Sequence, residues 1–212
     1  MPNWVYNTLS VTGNQLELDK FHEFISKPYE TRDDITQYNH ETKKWEIVEK
    51  KVQMREGAFL FWNIKSPEPE ILDSYYGSND VGNTDPNHWY SWNILNWGTK
   101  WEASDSEIER QEGVDLYRFN TAWANPDLSL FYDLSTKFPR LDFYLDYEEE
   151  QGWGGELGVT NGVEYVNSTY DIPNSHADYV NRGNEEGCVC TWEDDPENWY
   201  GDCPPSSSEI EN

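Results

Sequence analysis

An acidic run in the second half of the chain has the chemistry of a binding site. It contains six carboxylates at close spacing: Asp142, Asp146, Glu148, Glu149, Glu150 and Glu156. Carboxylates in a fixed array carry the charge of nucleic-acid phosphates, and they attract a basic protein surface over long range. The run therefore predicts an acidic interface that competes for a basic groove. A solvated strand edge, whose charges discourage aggregation, is the alternative.

A tryptophan-rich segment, residues 88–103, is the second group of interest, with the sequence HWYSWNILNWGTKWEA. Within it Trp97, Lys100 and Trp101, together with Trp123 from a later strand, predict an aromatic platform. Such a platform could stack a base, a small ligand or a partner side chain. The alternative is a tryptophan mini-core that braces an insertion against the sheet.

The cysteines cluster near the C-terminus. Cys188, Cys190 and Cys203, with His176 upstream, could supply four zinc ligands, although the C-x-C spacing is tighter than the usual two-residue gap. A disulfide between two of the cysteines is the alternative. We predict no metal site and no cofactor.

Enzymatic motifs are sparse in this sequence. It contains no phosphate-binding G-x-x-x-x-G-K-[ST] loop, no H-E-x-x-H and no G-x-S-x-G. The glycine-rich residues 152–155 follow three glutamates and have no lysine nearby, so they would repel phosphate. Asp85 and His88 could form an acid–base pair in a cleft. We nevertheless predict that the protein is not an enzyme.

The net charge limits the partners of the protein. The chain has 41 Asp and Glu against 15 Lys and Arg, a formal charge of −26. Such a surface repels nucleic acid and anionic membranes and attracts basic partners. There is no apolar run long enough for a membrane span and no secretory signal, and the paucity of cysteine fits a reducing cytoplasm.

The first half of the chain reads as strand, helix, strand. Trp4 to Thr12 alternates as a strand, and Asn14 followed by Glu17 predicts a capped helix that ends at Pro28. The apolar residues 58–64 predict a buried strand. Residues 29–57 predict a hairpin insertion, residues 67–76 a further helix, and the tryptophan segment a helix ending at Gly98.

The second half repeats this order. Residues 117–123 alternate as a strand, Asn125-Pro126 marks a helix start, and residues 141–147 form the next strand. Asn161-Gly162 predicts a final hairpin. The order of elements predicts an α+β, ferredoxin-like split βαβ sheet with helices on one face. We assign this domain to residues 1–170, with insertions at about 29–57 and 67–115, and an acidic, loosely structured tail to residues 171–212.

Several segments together resemble one family, and they run in order through residues 2–166: PNWVYNTLSVTGN, FLFWNI followed by SPEPE, WYSWNILNWGTKWEA, FNTAWANP and LSTKFPRLDFYLDYEEEQGWGG. They resemble the YubB ferredoxin-like family of bacteriophage and plasmid proteins. The resemblance implies a ferredoxin-like fold and a mobile genetic element as the source. It implies no activity, because the family has no agreed biochemical function.

Charge, missing catalytic motifs and the resemblance lead to one functional expectation. The protein is expected to bind and inhibit a host protein with a basic surface, for example a nucleic-acid-binding defence factor, in the host cytoplasm. It is not expected to bind nucleic acid or membranes directly. The alternative is a small-ligand or nucleotide-binding module that uses the tryptophan segment and the sheet face.

Overall fold

A computed structural model describes residues 3–32, 35–72, 84–150 and 152–171 of the chain. The strands are β1 (Trp4–Thr12), β2 (Tyr29–Arg32), β3 (Ile35–Asn39), β4 (Lys44–Glu49), β5 (Val52–Arg55), β6 (Ser104–Gln111), β7 (Val114–Ala122), β8 (Asp142–Glu149), β9 (Trp153–Thr160) and β10 (Val163–Asp171). The helices are α1 (Gln15–Ile25), α2 (Phe61–Ile64), α3 (Trp89–Trp97) and α4 (Ser129–Lys137), and residues 69–72 are also helical.

A six-stranded antiparallel sheet organises the domain, in the order β10-β9-β8-β1-β7-β6. The central four strands, β8-β1-β7-β6, have the strand order of a ferredoxin-like fold, with α1 connecting toward β6 and α4 connecting β7 to β8. The β9–β10 hairpin extends this sheet beyond β8. The predicted α+β, ferredoxin-like fold class is confirmed.

The hydrophobic core lies on the side of the sheet that the helices cover. Alternate residues of β1 point into it, and Val5, Leu9 and Val11 are fully buried. Phe21 of α1 meets the rings of Tyr117 and Phe143 edge-on, at centroid distances of 5.6 and 5.3 Å. Large aromatic side chains thus provide much of the burial in a chain with few aliphatic residues.

The predicted start of α1 is confirmed. The side chain of Asn14 accepts a hydrogen bond from the backbone N–H of Glu17 at 3.1 Å, which satisfies one of the free donors at the helix end. The carboxylate of Glu17 pairs with Lys20 and Arg140, so the same turn is tied to the loop before β8.

The predicted strand at residues 58–64 is wrong. Phe61–Ile64 is a short helix, and the strand that completes the first half of the fold is β6, which lies within the range assigned above to the second insertion. A short apolar run has no periodicity that separates a buried strand from a buried turn of helix. β6 is an exposed edge strand with the polar sequence SDSEIERQ, so it has little hydrophobic alternation to detect.

Turns and helix ends are predicted more accurately than this strand. Gly98 ends α3 in the left-handed conformation (φ +76°), and Asn161 and Gly162 both have positive φ in the β9–β10 turn, as predicted. Helix α4 begins at Ser129, whereas the sequence predicted its start at Asn125-Pro126. The N-cap residue is Leu128, which makes no side-chain cap, and the preceding Asp127 carboxylate accepts from the N–H of Ser129 at 2.8 Å.

The first insertion consists of two antiparallel strand pairs, β2 with β5 and β3 with β4. The side chain of Tyr29 at its base stacks on Trp62, with ring centroids 4.2 Å apart.

None of the helices in the described part of the chain is both long and apolar enough to cross a membrane. The predicted acidic tail lies outside the described residues, except for Asp171 at the end of β10.

Candidate binding face of the sheet

The side of the sheet opposite the core forms an open face on which, within the described residues, no helix packs. Side chains alternate across each strand, so Trp4, Tyr6 and Thr8 of β1 point to this face while Val5 and Leu9 point to the core. In the register of the sheet, Tyr6 lies opposite Glu148 and Thr8 lies opposite Asp146. The open face therefore places aromatic and acidic side chains on neighbouring strands.

Four of the six predicted acidic residues share this face: Asp142, Asp146, Glu148 and Glu156. Asp142, Asp146 and Glu148 project from β8, and Glu156 on β9 is the register partner of Asp146. Directly opposed like charges destabilise a strand pair. Partial burial and the neighbouring Glu156 carboxylate raise the pKa of Asp146.

The other two acidic residues lie elsewhere. Glu149 points to the core side, where it is 3% exposed, so it contributes no surface charge to the open face. Glu150 follows the end of β8, and its backbone N–H bonds to the carbonyl of Trp4. Alternation along β8 explains the inward direction of Glu149.

Tyrosines separate the carboxylates, and they were not among the predicted site residues. Tyr144 and Ser168 donate hydrogen bonds to Glu156, and these bonds lower the pKa of its carboxyl. The rings of Tyr165 and Tyr170 lie over Gly158 and Gly154, where an added Cβ would collide with them. Glycines in β9 thus leave room for the tyrosine rings to lie on the sheet. The alternation of tyrosine with Asp and Glu was the sequence signal that could have identified these tyrosines.

An aromatic cluster ends the open face beside β1. The Lys100 ammonium lies 4.1 Å from the ring centroid of Trp101 and 4.7 Å from that of Trp123. The two rings are stacked at 6.0 Å, and Trp4 contacts Trp101 at 6.4 Å. Trp101 and Trp123 are 39% and 44% exposed, whereas Lys100 is 7% exposed, and its burial lowers the pKa of the ammonium. This is the geometry of a cation–π pair, open on one side.

Trp97 does not belong to this cluster. It is 1% exposed, packs against Phe61 and Trp92, and donates its indole N–H to the carbonyl of Lys65 at 2.8 Å. Trp97 is therefore part of a tryptophan mini-core, which was the alternative to the platform in the sequence analysis. The platform consists of Lys100, Trp101 and Trp123, with Trp4 as a member that the prediction missed.

His88, one residue of the predicted acid–base pair, lies at the N-terminal end of α3. The ring nitrogen Nδ1 of His88 accepts from the backbone N–H of Tyr90 at 3.3 Å. The backbone N–H of His88 donates to the backbone carbonyl of Asp85 at 2.9 Å. His88 is buried and caps α3. Cys188, Cys190, Cys203 and His176 lie outside the described residues, and within the described ranges no group of three or more His, Cys, Asp or Glu is placed to hold a metal ion.

Glu102 is a buried carboxyl that sequence reasoning did not single out. It accepts hydrogen bonds from the backbone N–H groups of Phe61 (2.5 Å), Trp62 (3.1 Å) and Ala103 (3.0 Å), and from the Tyr29 hydroxyl at 3.3 Å. Burial raises its pKa to about 7, although the three N–H donors act in the opposite direction. Glu102 thus joins α2, the first insertion and the end of the tryptophan segment.

These features define an α+β ferredoxin-like domain whose uncovered sheet face is acidic and aromatic. Residues 96–187 match the family model described as the ferredoxin-like domain in Api92-like protein. The crystal structure of a protein api92 from Yersinia pseudotuberculosis is similar in fold, with a TM-score of 0.57 and 11% identity, over 82% of this chain and 99% of that one. No curated protein matches the sequence.

Proposed function

We propose that this protein is a non-enzymatic accessory protein that binds and inhibits a host protein through the open sheet face. The observation that supports this proposal is the co-location of four carboxylates and exposed aromatic rings on one uncovered face. The partner presents a basic surface, because a surface of the same sign would be repelled by a chain of charge −26.

The charges and the rings have different roles in this proposal. The carboxylates accelerate the encounter and exclude acidic competitors. Tyr6, which is 53% exposed and opposite Glu148, and the indoles of Trp101 and Trp123 supply large contact areas typical of binding hot spots. A cation placed between Asp146 and Glu156 would also relieve their mutual repulsion.

The biological setting is part of the proposal. The resemblance to the YubB family favours an origin on a bacteriophage or plasmid, and an acidic face can mimic the charge of DNA. We therefore propose an anti-defence inhibitor that acts in the host cytoplasm and competes with nucleic acid for the groove of a defence protein. Such a protein needs neither a cofactor nor a catalytic residue.

A salt-titrated pull-down from host lysate tests the proposal. The wild-type chain is compared with Asp146→Asn/Glu148→Gln/Glu156→Gln and with a control that loses the same charge elsewhere, Glu41→Gln/Glu68→Gln/Glu112→Gln. We expect a nucleic-acid-binding partner that elutes with increasing salt and binds the first variant at least tenfold more weakly than the control. Retention of no partner at low salt, or binding that is indifferent to salt, would contradict the acidic-mimic proposal.

A second candidate function rests on the exposed indoles. Trp101 and Trp123 offer faces on which a nucleotide base could stack, and the Lys100 ammonium beside them could approach its phosphate. Base–aromatic stacking contributes about 1–3 kcal/mol per base. Titration of intrinsic tryptophan fluorescence with a nucleotide panel tests this candidate, because binding at the platform should quench Trp101 and should be lost in Trp101→Ala.

A further inference from the structure

A cavity of about 370 Å³ lies where β8, β9 and β10 approach the loop before α4. Its lining residues are Asn125, Tyr147, Trp153, Gly154, Thr169 and Tyr170. The volume falls within the range of about 300–1,000 Å³ that is typical of small-ligand sites. Tyr170 and Gly154 also border the open face, whereas the other four lining residues belong to neither the acidic nor the aromatic group described above.

Two aromatic rings form walls of this cavity. Tyr147 and Trp153 have ring centroids 6.2 Å apart and planes inclined at 70°. Tyr147 lies over Gly155, its register partner, where an added Cβ would collide with the phenol ring and with the Ser168 carbonyl. Glycine at this position is therefore what allows the phenol ring to occupy the site.

The surroundings of the cavity are negative. Tyr170 lies near Asp146, Glu148 and Glu156, and burial together with these carboxylates raises its pKa to about 12. Glu149, buried on the core side of β8, is the register partner of Trp153. The lining residues include no cationic side chain, and the side chains of Asn125 and Thr169 add hydrogen-bond acceptors.

We propose that this cavity binds the cationic end of a lysine or arginine side chain from the partner. The cation would lie against the half-buried indole of Trp153, beside the Tyr147 phenol, which is only 2% exposed, as ammonium and guanidinium groups do in aromatic sites. Asp146, Glu148 and Glu156 of β8 and β9 point to the other side of the sheet from Tyr147 and Trp153, so they would attract the cation only over a longer range. This inference rests on the proposed function, and it assigns to the basic partner one anchoring side chain outside the open face.

Two side-chain analogues, n-butylammonium and n-butylguanidinium, test the site on the full-length, ¹⁵N-labelled chain. We expect the indole resonance of Trp153 to shift saturably with either cation. Potassium chloride at equal ionic strength and the uncharged 1-pentanol should produce at most a tenth of that shift. An equal response to 1-pentanol would show an unselective apolar cavity and overturn the proposal.

Two charge-adding variants separate binding from folding. Thr169 is exposed on the edge strand β10, so Thr169→Arg should place a fixed cation at the cavity without disturbing the core, and it should abolish the shift. Val163→Arg adds the same charge at the far end of β10 and should leave the shift unchanged. Binding that survives Thr169→Arg would contradict the assigned site.

The pull-down distinguishes failure of this inference from failure of the proposed function. If Thr169→Arg weakens partner retention at least tenfold and Val163→Arg does not, the cavity anchors the partner. If the partner is retained equally by both variants, the anchoring role is wrong while the acidic face remains supported. If the cavity binds butylammonium but no partner is retained, the occupant is a free organic cation, and the assignment to a partner side chain is overturned.

Discussion

Asp146 and Glu156 face each other in register on the adjacent antiparallel strands β8 and β9. The pKa values of the two carboxyls shift in opposite directions. Glu156 accepts hydrogen bonds from Tyr144 and Ser168, which lower its pKa, whereas Asp146 has its pKa raised by burial and by Glu156. The pair therefore predicts a repulsive contact between the two strands.

Replacing Asp146 by Asn should stabilise the protein at neutral pH. A carboxyl whose folded pKa lies above its unfolded pKa binds more protons when folded, so its contribution to stability grows as the pH falls. Removing the charge should gain about 0.2–1 kcal/mol, toward the lower end because Asp146 is partly solvated. Urea unfolding at pH 4 and pH 7 measures this, and the gain should be smaller at the lower pH and in high salt. A loss of stability at pH 7 would show that the pair is not repulsive.

The Glu102 carboxyl should control part of the pH dependence of folding. Because its folded pKa of about 7 lies above the unfolded value of about 4.5, stability from this group increases as the pH falls from 7 toward 4.5. In Glu102→Gln that dependence should disappear, and the stability difference between wild type and variant should change by up to about 1.4 kcal/mol per pH unit. Urea unfolding between pH 5 and pH 8 measures the slope. Exposed Glu107→Gln is the control, and an unchanged slope in Glu102→Gln would refute the assignment.

Glu102→Ala should be more damaging than Glu102→Gln. It leaves the buried N–H groups of Phe61 and Ala103 without their acceptor, at about 1–3 kcal/mol for each orphaned donor. The measurement is the free energy of unfolding in urea at pH 8, where the carboxyl is ionised. A cost below about 1 kcal/mol would mean that water replaces the carboxylate readily.

Trp97 and Trp101 should respond oppositely to truncation. Trp97→Ala removes a fully buried indole and should cost about 3–5 kcal/mol of stability. Trp101→Ala removes a half-exposed ring and should affect stability far less, while weakening any ligand or partner that uses the platform. Thermal unfolding and binding measured on both variants separate the two roles. Equal destabilisation would place Trp101 in the core rather than in a binding platform.

Gly155→Ala should destabilise the sheet next to the cavity. The new Cβ would overlap the Tyr147 phenol and the Ser168 carbonyl, and overpacking of this kind costs about 1–3 kcal/mol. Thermal unfolding provides the measurement, and the variant should also lose the butylammonium response. Val163→Ala, at the exposed start of β10, changes a side chain without adding bulk and serves as the control.

The sequence by itself determined the elements whose signals are local. Alternation identifies β1, β7 and β8, the Asn14 side chain marks the start of α1, and the αL-compatible residues Gly98 and Asn161-Gly162 mark a helix end and a hairpin. These features depend on neighbouring residues only, so they can be derived without knowing the fold. The same alternation places Asp142, Asp146 and Glu148 on one face and Glu149 on the other.

Only the tertiary structure decided which distant residues meet. The polar strand β6, and not the apolar residues 58–64, forms the second strand of the fold, because an exposed edge strand needs little hydrophobicity. Residues 61–64 form a short helix, and the buried Glu102 carboxylate accepts hydrogen bonds from its first N–H groups. The register of β8 and β9 places Glu156 opposite Asp146. Trp123 has a left-handed backbone (φ +68°), and its N–H bonds to the Asn3 carbonyl. This conformation brings the Trp123 ring beside Lys100. Pairing register and long-range packing are properties of the whole sheet, and no local pattern encodes them.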